Sequence, residues 1–295
     1  GIPEILLGDN RICSCDEEIP SICPVINENE MFLDQRCEDC TEIQFLQELA
    51  ELSSRGHQVW AKARQENKFE DFAPTLERLI ILKKKWAEFA FPELDPYDAN
   101  IDVFERGMRM ERLTPIFDKI KNELILLIDA IRKSSINPDV GFLKGDFPIN
   151  KQESLGRIIS KDIGFDYDRG RMDVSVHPFC GGGHPTDVRI TTRYRSENFI
   201  ESLFAVIHET GHGLYEQGRM SDFMDLPVSE SLTMAIHESQ SLFWERMIAQ
   251  NFYFCGYYHN LFVDTFPEAL QGVSLDKLYA DINSCLLYTS DAADE

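Results

Sequence analysis

The chain has 295 residues, 43% hydrophobic and 27% charged, enough to bury one large core or two small ones. It contains no apolar run near the ~18 residues of a membrane span, which with its mixed composition argues against transmembrane and fibrous classes. Its 51 acids against 29 Lys and Arg leave a net charge of −22, a field that repels phosphate backbones and argues against nucleic acid as a partner.

Residues 1–42 hold eleven acids against Arg11 and Arg36, and five of the eight cysteines: Cys13, Cys15, Cys23, Cys37 and Cys40. Cys13-x-Cys15 and Cys37-x-x-Cys40 are short pairs of the kind structural zinc uses, but their separation fits no common module. The stretch reads as an atypical Cys-rich acidic leader, disordered or non-native. Its apolar segment, Ile5-Leu6-Leu7, is too short and lacks the basic flank of a secretory signal.

Residues 44–66, 74–90 and 111–134 carry apolar positions at spacings of three and four, the last through Leu113, Ile116, Phe117, Ile120, Leu124, Leu127, Ile128 and Ile131, which predicts three helices with core-facing stripes. Pro74 sits at a helix start and Asn137-Pro138 marks a stop. Residues 173–176 and 187–194 read as strands, the second alternating and β-branched, joined through Gly181-Gly182-Gly183 as a loose hairpin. A strand edge there could align an extended peptide through main-chain hydrogen bonds.

Phe199, Ile200, Leu203, Phe204 and Ile207 form an apolar stripe running into His208-Glu209-Thr210-Gly211-His212, with Ser196 as a possible cap. On a helix, imidazoles four residues apart point the same way and can share one cation, with the intervening glutamate beside it. Catalytic zinc takes three protein ligands, and the metzincin third ligand is absent, since Tyr215 and Gly218 occupy its positions. A helix over residues 228–247, with Leu232, Ala235, Ile236, Leu242 and Phe243 as its buried side, offers Glu230 and Glu238. Glu238 is the stronger candidate because His237, Ser239 and Gln240 flank it, polar groups that need partners on an apolar helix.

Residues 285–295 are similar to the translation of a transposase adapter used in sequencing-library preparation, which implies that the reading frame leaves its gene near Ser284. The segments are then a leader over 1–42, a domain over 43–284 and an adapter-derived tail over 285–295. The middle segment keeps only Cys180 and Cys255, consistent with a reducing compartment.

Four motifs in order, His177-Pro178-Phe179, Asp187-x-Arg189-x-Thr191, His208-Glu209-x-x-His212 and His237-Glu238-Ser239-Gln240, resemble the signature series of the carboxypeptidase Taq family of zinc metallocarboxypeptidases. The resemblance extends upstream through Trp60-Ala61-Lys62-Ala63-Arg64, Phe69, Phe72, Pro74, Tyr97-Asp98 and Glu105-x-Gly107-Met108. It implies a mainly α, zincin-like helical metallopeptidase with a small β-hairpin or sheet beside the active-site helix. It further implies one zinc per chain, or cobalt, on His208, His212 and Glu238, with Glu209 activating water for C-terminal cleavage of peptides with broad preference, and a cytosolic homodimer. His177, Asp187, Arg189, Thr191, His237 and Gln240 are the expected substrate-binding or supporting residues; Arg189 itself reads as forming an internal ion pair with a carboxylate that stiffens its loop. A fifth family motif, whose arginine is understood to hold the substrate carboxylate, is absent. The alternatives are an oligopeptidase or endopeptidase using the same metal, a helical scaffold with a vestigial motif, or an inactive fragment in which Leu261, Phe262 and Phe266 lack partners.

Overall fold

A computed structural model describes residues 41–135, 145–219, 221–224 and 226–284; the leader through residue 40, Asn137-Pro138 and residues 285–295 lie outside the described residues. The chain divides into two compact units, Gly1–Asn100 and Ile101–Glu295.

Among the described residues, the first unit contains an αα-hairpin. Helix α1 (Thr41–Glu66) turns at Asn67, whose φ of 54° a short polar side chain tolerates, into α2 (Phe69–Ala90). The helix starts at Phe69 rather than at Pro74, which lies inside it and forgoes one hydrogen bond. The acidic Glu70 and Asp71 favour that earlier start because they face the positive end of the helix. A half-exposed bidentate Arg78–Glu48 pair at 2.6 and 2.7 Å bridges α1 and α2. Leu82 and Trp86 are buried, and Lys83 lies 5.3 Å over the Trp86 ring. Helix α3 (Pro96–Phe104) runs across the division.

In the second unit, α4 (Met110–Lys133) corrects one expectation. Ile116, Phe117, Ile120, Leu124, Leu127 and Ile131 are exposed rather than core-facing. Periodicity fixes which face is apolar, and no buried residue of α4 shows that face covered among the described residues.

The core is built on α6 (Phe199–Gln217), which has three working faces. Phe199, Ile200, Leu203 and Ile207 enter a cluster with Leu155 and Ile159 of α5 (Ile149–Asp162) and with α8 (Phe252–Thr265), α9 (Pro267–Leu270) and α10 (Leu275–Ser284). Phe262 and Phe266 are each 1% exposed in that cluster and Leu261 packs against it, so these side chains have partners after all. Val206, on the second face, packs with Phe165, Met172, Val188 and Ile190. The third face carries His208, His212 and Glu216.

Asn198, not Ser196, caps α6, accepting from the N–H groups of Ile200 and Glu201. Buried Gln152 is satisfied by donating to Phe147 O and Arg195 O and accepting from Ser202, which ties α5 to the entry of α6.

The sheet differs from a loose hairpin. Strand β1 (Gly170–Val174) runs parallel to β3 (Asp187–Thr192), and the glycine run is itself a strand, β2 (Cys180–His184), antiparallel to β3. Because the order is β1-β3-β2, both edges of β3 are taken and it cannot serve as the docking edge. Gly182, at φ 122°, lies where a Cβ would be 2.0 Å from Asp187 O, so only glycine lets β2 close on β3 at this bulge.

At the C-terminal end of α3, Asp102 accepts from the N–H of Gly107 at 2.9 Å and is ion-paired with Arg109. Burial alone would raise its carboxyl, but the Arg109 hydrogen bond, the Gly107 N–H and the Arg109 charge outweigh this and hold it below the ordinary value of 3.8. The stabilisation is therefore fully present above pH 3.8 and is lost as pH falls below that value. Urea unfolding should show Asp102→Asn less stable than wild type at pH 5.5, with the gap shrinking by pH 3; a pH-independent gap would contradict this account.

Candidate metal centre

Helix α7 (Met234–Leu242) starts at Thr233, whose hydroxyl accepts from Ile236 N, and continues into a π-helical segment, Phe243–Ala249. The sequence suggested a helix from residue 228, but Pro227–Ser229 is a short 3₁₀ turn and Glu230 precedes α7. The buried side is also reversed: Leu232, Ile236, Leu242 and Phe243 are exposed, while Ser241 is buried. The polar residues of α7 face α6 because the imidazoles there give them partners.

The crossing of these helices is very close. A Cβ on Gly211 would lie 2.6 Å from both Gln240 O and Ser241 Cα, so the glycine inside the His-Glu-x-x-His motif lets the α7 backbone rest on α6. Two further bonds hold the approach to α7: the Tyr215 hydroxyl accepts from Leu232 N at 3.1 Å, and Glu105 Oε2 accepts from Ala235 N at 3.2 Å.

The result is a cluster of three donors. Glu238 Oε2 lies 3.2 Å from His212 Nε2 and 3.7 Å from His208 Nε2, and the ligand atoms of His208, His212 and Glu238 all lie within 4.8 Å of one another. Glu238 Oε2 is buried yet accepts no hydrogen bond, an arrangement that is costly unless a cation completes it. Two imidazoles and a carboxylate are a fitting donor set for such an ion. Glu209 is buried beside them, 4% exposed.

The proton positions can be followed outward. A carboxylate can only accept, so His237 donates from Nε2 to Glu216 Oε1 at 2.8 Å. Glu216 also accepts from Arg219 at 2.7 Å, and His237 turns its Nδ1 toward α6. His212 Nδ1 meets His237 Nδ1; with His212 as the donor, its Nε2 would face Glu238 as a lone pair. Burial would raise the Glu216 carboxyl, but the His237 hydrogen bond and Arg219 outweigh it and hold it low. On the other side, His208 Nδ1 donates to Glu245 Oε2 at 2.7 Å.

The remaining predicted residues gather around the sheet. Thr191 is buried, and its hydroxyl bonds Phe179 N at 2.8 Å and Ser175 Oγ at 2.7 Å, fixing the loop that carries His177. The His177 ring folds back onto Pro178 O at 2.6 Å. Asp187 is the carboxylate that pairs with Arg189, with bonds of 2.7 and 3.0 Å, and the two line a cleft of about 560 Å³ with Phe179, Gly181, Gly182 and Thr191. Gln240 donates to Ser239 Oγ at 3.3 Å, and its backbone meets Gly211. Burial, then the charges of Glu209 and Glu216, push the Cys180 thiol far up, so it stays protonated and unreactive.

Sequence reasoning missed Glu216, Arg219 and Glu245. Glu216 was accessible as the next step of the His208, His212 stripe, and Glu245 lies seven residues, two helical turns, beyond Glu238.

Residues 26–287 match the family described as Carboxypeptidase Taq (M32) metallopeptidase. The chain belongs to that family. It is 35% identical over 232 residues to Carboxypeptidase 1 of Bacillus subtilis, covering 79% of this chain and 46% of that protein. It is 35% identical over 246 residues to Thermostable carboxypeptidase 1 of Thermus thermophilus, covering 80% and 48%. Among solved structures, the M32 carboxypeptidase from Deinococcus radiodurans R1 superposes with a TM-score of 0.73 at 33% identity, covering 82% of this chain and 49% of that one. The chain thus spans about half the length of the curated relatives it matches. Family membership and the mainly helical fold with its three-stranded sheet agree with the reading from motifs, and a metallopeptidase family fits the three converging donors.

The crossing itself is testable. In an open helix, Gly→Ala gains about 0.5–1 kcal/mol; at the contact with α7, Gly211→Ala should instead cost about 1–3 kcal/mol through overpacking. Urea unfolding of the two chains decides the sign.

Proposed function

We propose that this chain carries the catalytic half-site of a zinc-dependent metallocarboxypeptidase, with His208, His212 and Glu238 holding the metal and Glu209 carrying the proton. The observation that supports this most is the convergence of two imidazole Nε2 atoms on a buried Glu238 oxygen that accepts no hydrogen bond. When bound, zinc supplies Lewis acidity to a water and to the scissile carbonyl. Glu209 takes the proton from the attacking water and passes it to the departing amine, so that water adds across the C–N bond and the freed residue leaves with its amino group. Its burial keeps it from being solvated away from the reacting atoms.

Preference for a C-terminal residue is supported by the relatives, which are named carboxypeptidases. Broad preference is supported by the sheet, whose Asp187–Arg189 pair is internally matched and leaves the cleft lined partly by glycine backbone. Since both edges of β3 are paired, a main-chain hold on the peptide would fall to the outer edge of β2. The reading extends to a cytosolic homodimer, which rests on the family resemblance. No helix among the described residues is long and apolar enough to cross a membrane.

Glu209→Gln should keep stoichiometric zinc and lose at least about 10²-fold in release of C-terminal residues from a peptide. A C-terminally amidated copy of the same peptide should resist cleavage, whereas an endopeptidase would cut both. Zinc absent from the wild-type chain, or turnover unchanged in Glu209→Gln, would sink the proposal.

A further inference from the structure

We propose that Glu245 is a positioning residue for the metal centre: by accepting the Nδ1 proton of His208 it fixes the tautomer and orientation of that ring, so that Nε2 meets the cation. This inference rests on the metal reading above and extends it to a residue outside the recognised motifs.

Three observations carry it. Glu245 Oε2 is 2.7 Å from His208 Nδ1, and the two side chains are only 12% and 13% exposed, so little water competes for the bond. Because a carboxylate has no proton to give, the imidazole is the donor, and its single neutral-state proton is thereby placed on the side away from Glu238. The second carboxylate oxygen is held by Arg246 Nε at 2.9 Å, so Glu245 is fixed and does not swing freely.

The third observation is the delivery. Glu238 and Glu245 come from one continuous helical run, α7 and the π-helical segment that follows it. Seven helical residues advance about 10.5 Å, enough to straddle an imidazole. Glu238 stands 3.7 Å from His208 Nε2 on one side and Glu245 2.7 Å from Nδ1 on the other. A π segment is costly to keep in a helix and recurs at functional sites; this one contains the orienting carboxylate. The histidine that crosses from α6 is therefore held at Nδ1 by the same strut that carries Glu238. His212 is linked to a carboxylate by a longer route, through His237 to Glu216.

The test is metal capture by the whole chain, measured by competition for zinc against a chromophoric chelator and by the ligand-field spectrum of the cobalt(II)-loaded form. Loss of an orienting partner typically weakens metal binding 10–100-fold. Glu245→Leu should show a loss of that size with an altered cobalt spectrum, and Glu245→Gln, which keeps an accepting oxygen, should recover most of the affinity. A merely structural role would lower the melting temperature of the metal-free chain and leave affinity and spectrum unchanged, and that result overturns the proposal. Should Glu245→Leu fail to fold, Glu245→Asp replaces it: the shortened side chain draws the oxygen back and should bind zinc about 10-fold more weakly than Glu245→Gln, whereas equal affinities would count against Glu245. Wild-type chain that takes up no zinc would remove the metal reading itself, an outcome distinct from wild-type binding that the variants leave unaltered.

Discussion

Helix α7 rests on α6 at a point where one added methyl group would strike backbone. Gly211 makes that contact possible, and the candidate centre depends on it. With the two backbones this close, the Glu238 side chain reaches His212 Nε2 at 3.2 Å without extending across a gap. A wider crossing would place the same three residues in the same order along the chain and leave them too far apart to share an ion. The close approach has supports of its own, from the Tyr215 hydroxyl and the Glu105 carboxylate at the start of α7.

A centre of this kind needs rigid walls, because donors that can relax toward one another lose their shape as a binding site. Helix α6 supplies them. Its Phe199, Leu203 and Ile207 face is locked into the larger apolar cluster, and Val206 is locked against the sheet through Val188 and Ile190. Only the third face is polar. There the His208, His212 and Glu216 stripe meets the polar side of α7, and the partners found across the seam offset the cost of burying them. The two imidazoles are steadied from behind by carboxylates, Glu245 directly and Glu216 through His237. The Asp187–Arg189 pair is half-exposed and contributes little to stability; its place is at the cleft.

The sequence made the donors legible because an i, i+4 pair of histidines has one geometric meaning on a helix, and because His237, Glu238, Ser239 and Gln240 form a polar run in apolar surroundings. The family motifs added the sheet residues, and Thr191 proved to be the buried pin of the loop carrying His177. What stayed hidden were relations that pattern does not encode. Leu232, Ile236 and Phe243 read as a buried stripe, yet the helix turned its polar side inward because α6 offered partners there. Ser196 and Asn198 are both good caps, and only the position of the first turn distinguishes them. A glycine run read as a connector became β2, since strand pairing needs backbone groups and not side chains. On α4, the spacing of Ile116, Ile120, Leu124 and Leu127 revealed an apolar face but could not show whether anything covers it.

Two ring protons decide whether the cluster is arranged to receive a cation. In the metal-free chain, His208 and His212 should each carry the proton on Nδ1, leaving both Nε2 atoms as lone pairs turned toward Glu238. Long-range proton–nitrogen correlation spectra of the histidine rings report this directly, since protonated and bare ring nitrogens resonate far apart. Nδ1–H tautomers at both residues are the predicted result. A proton on Nε2 of either ring, lying between the imidazole and Glu238, would mean that the cluster is closed by its own hydrogen bonds and is not arranged to receive a cation, and it would contradict the account.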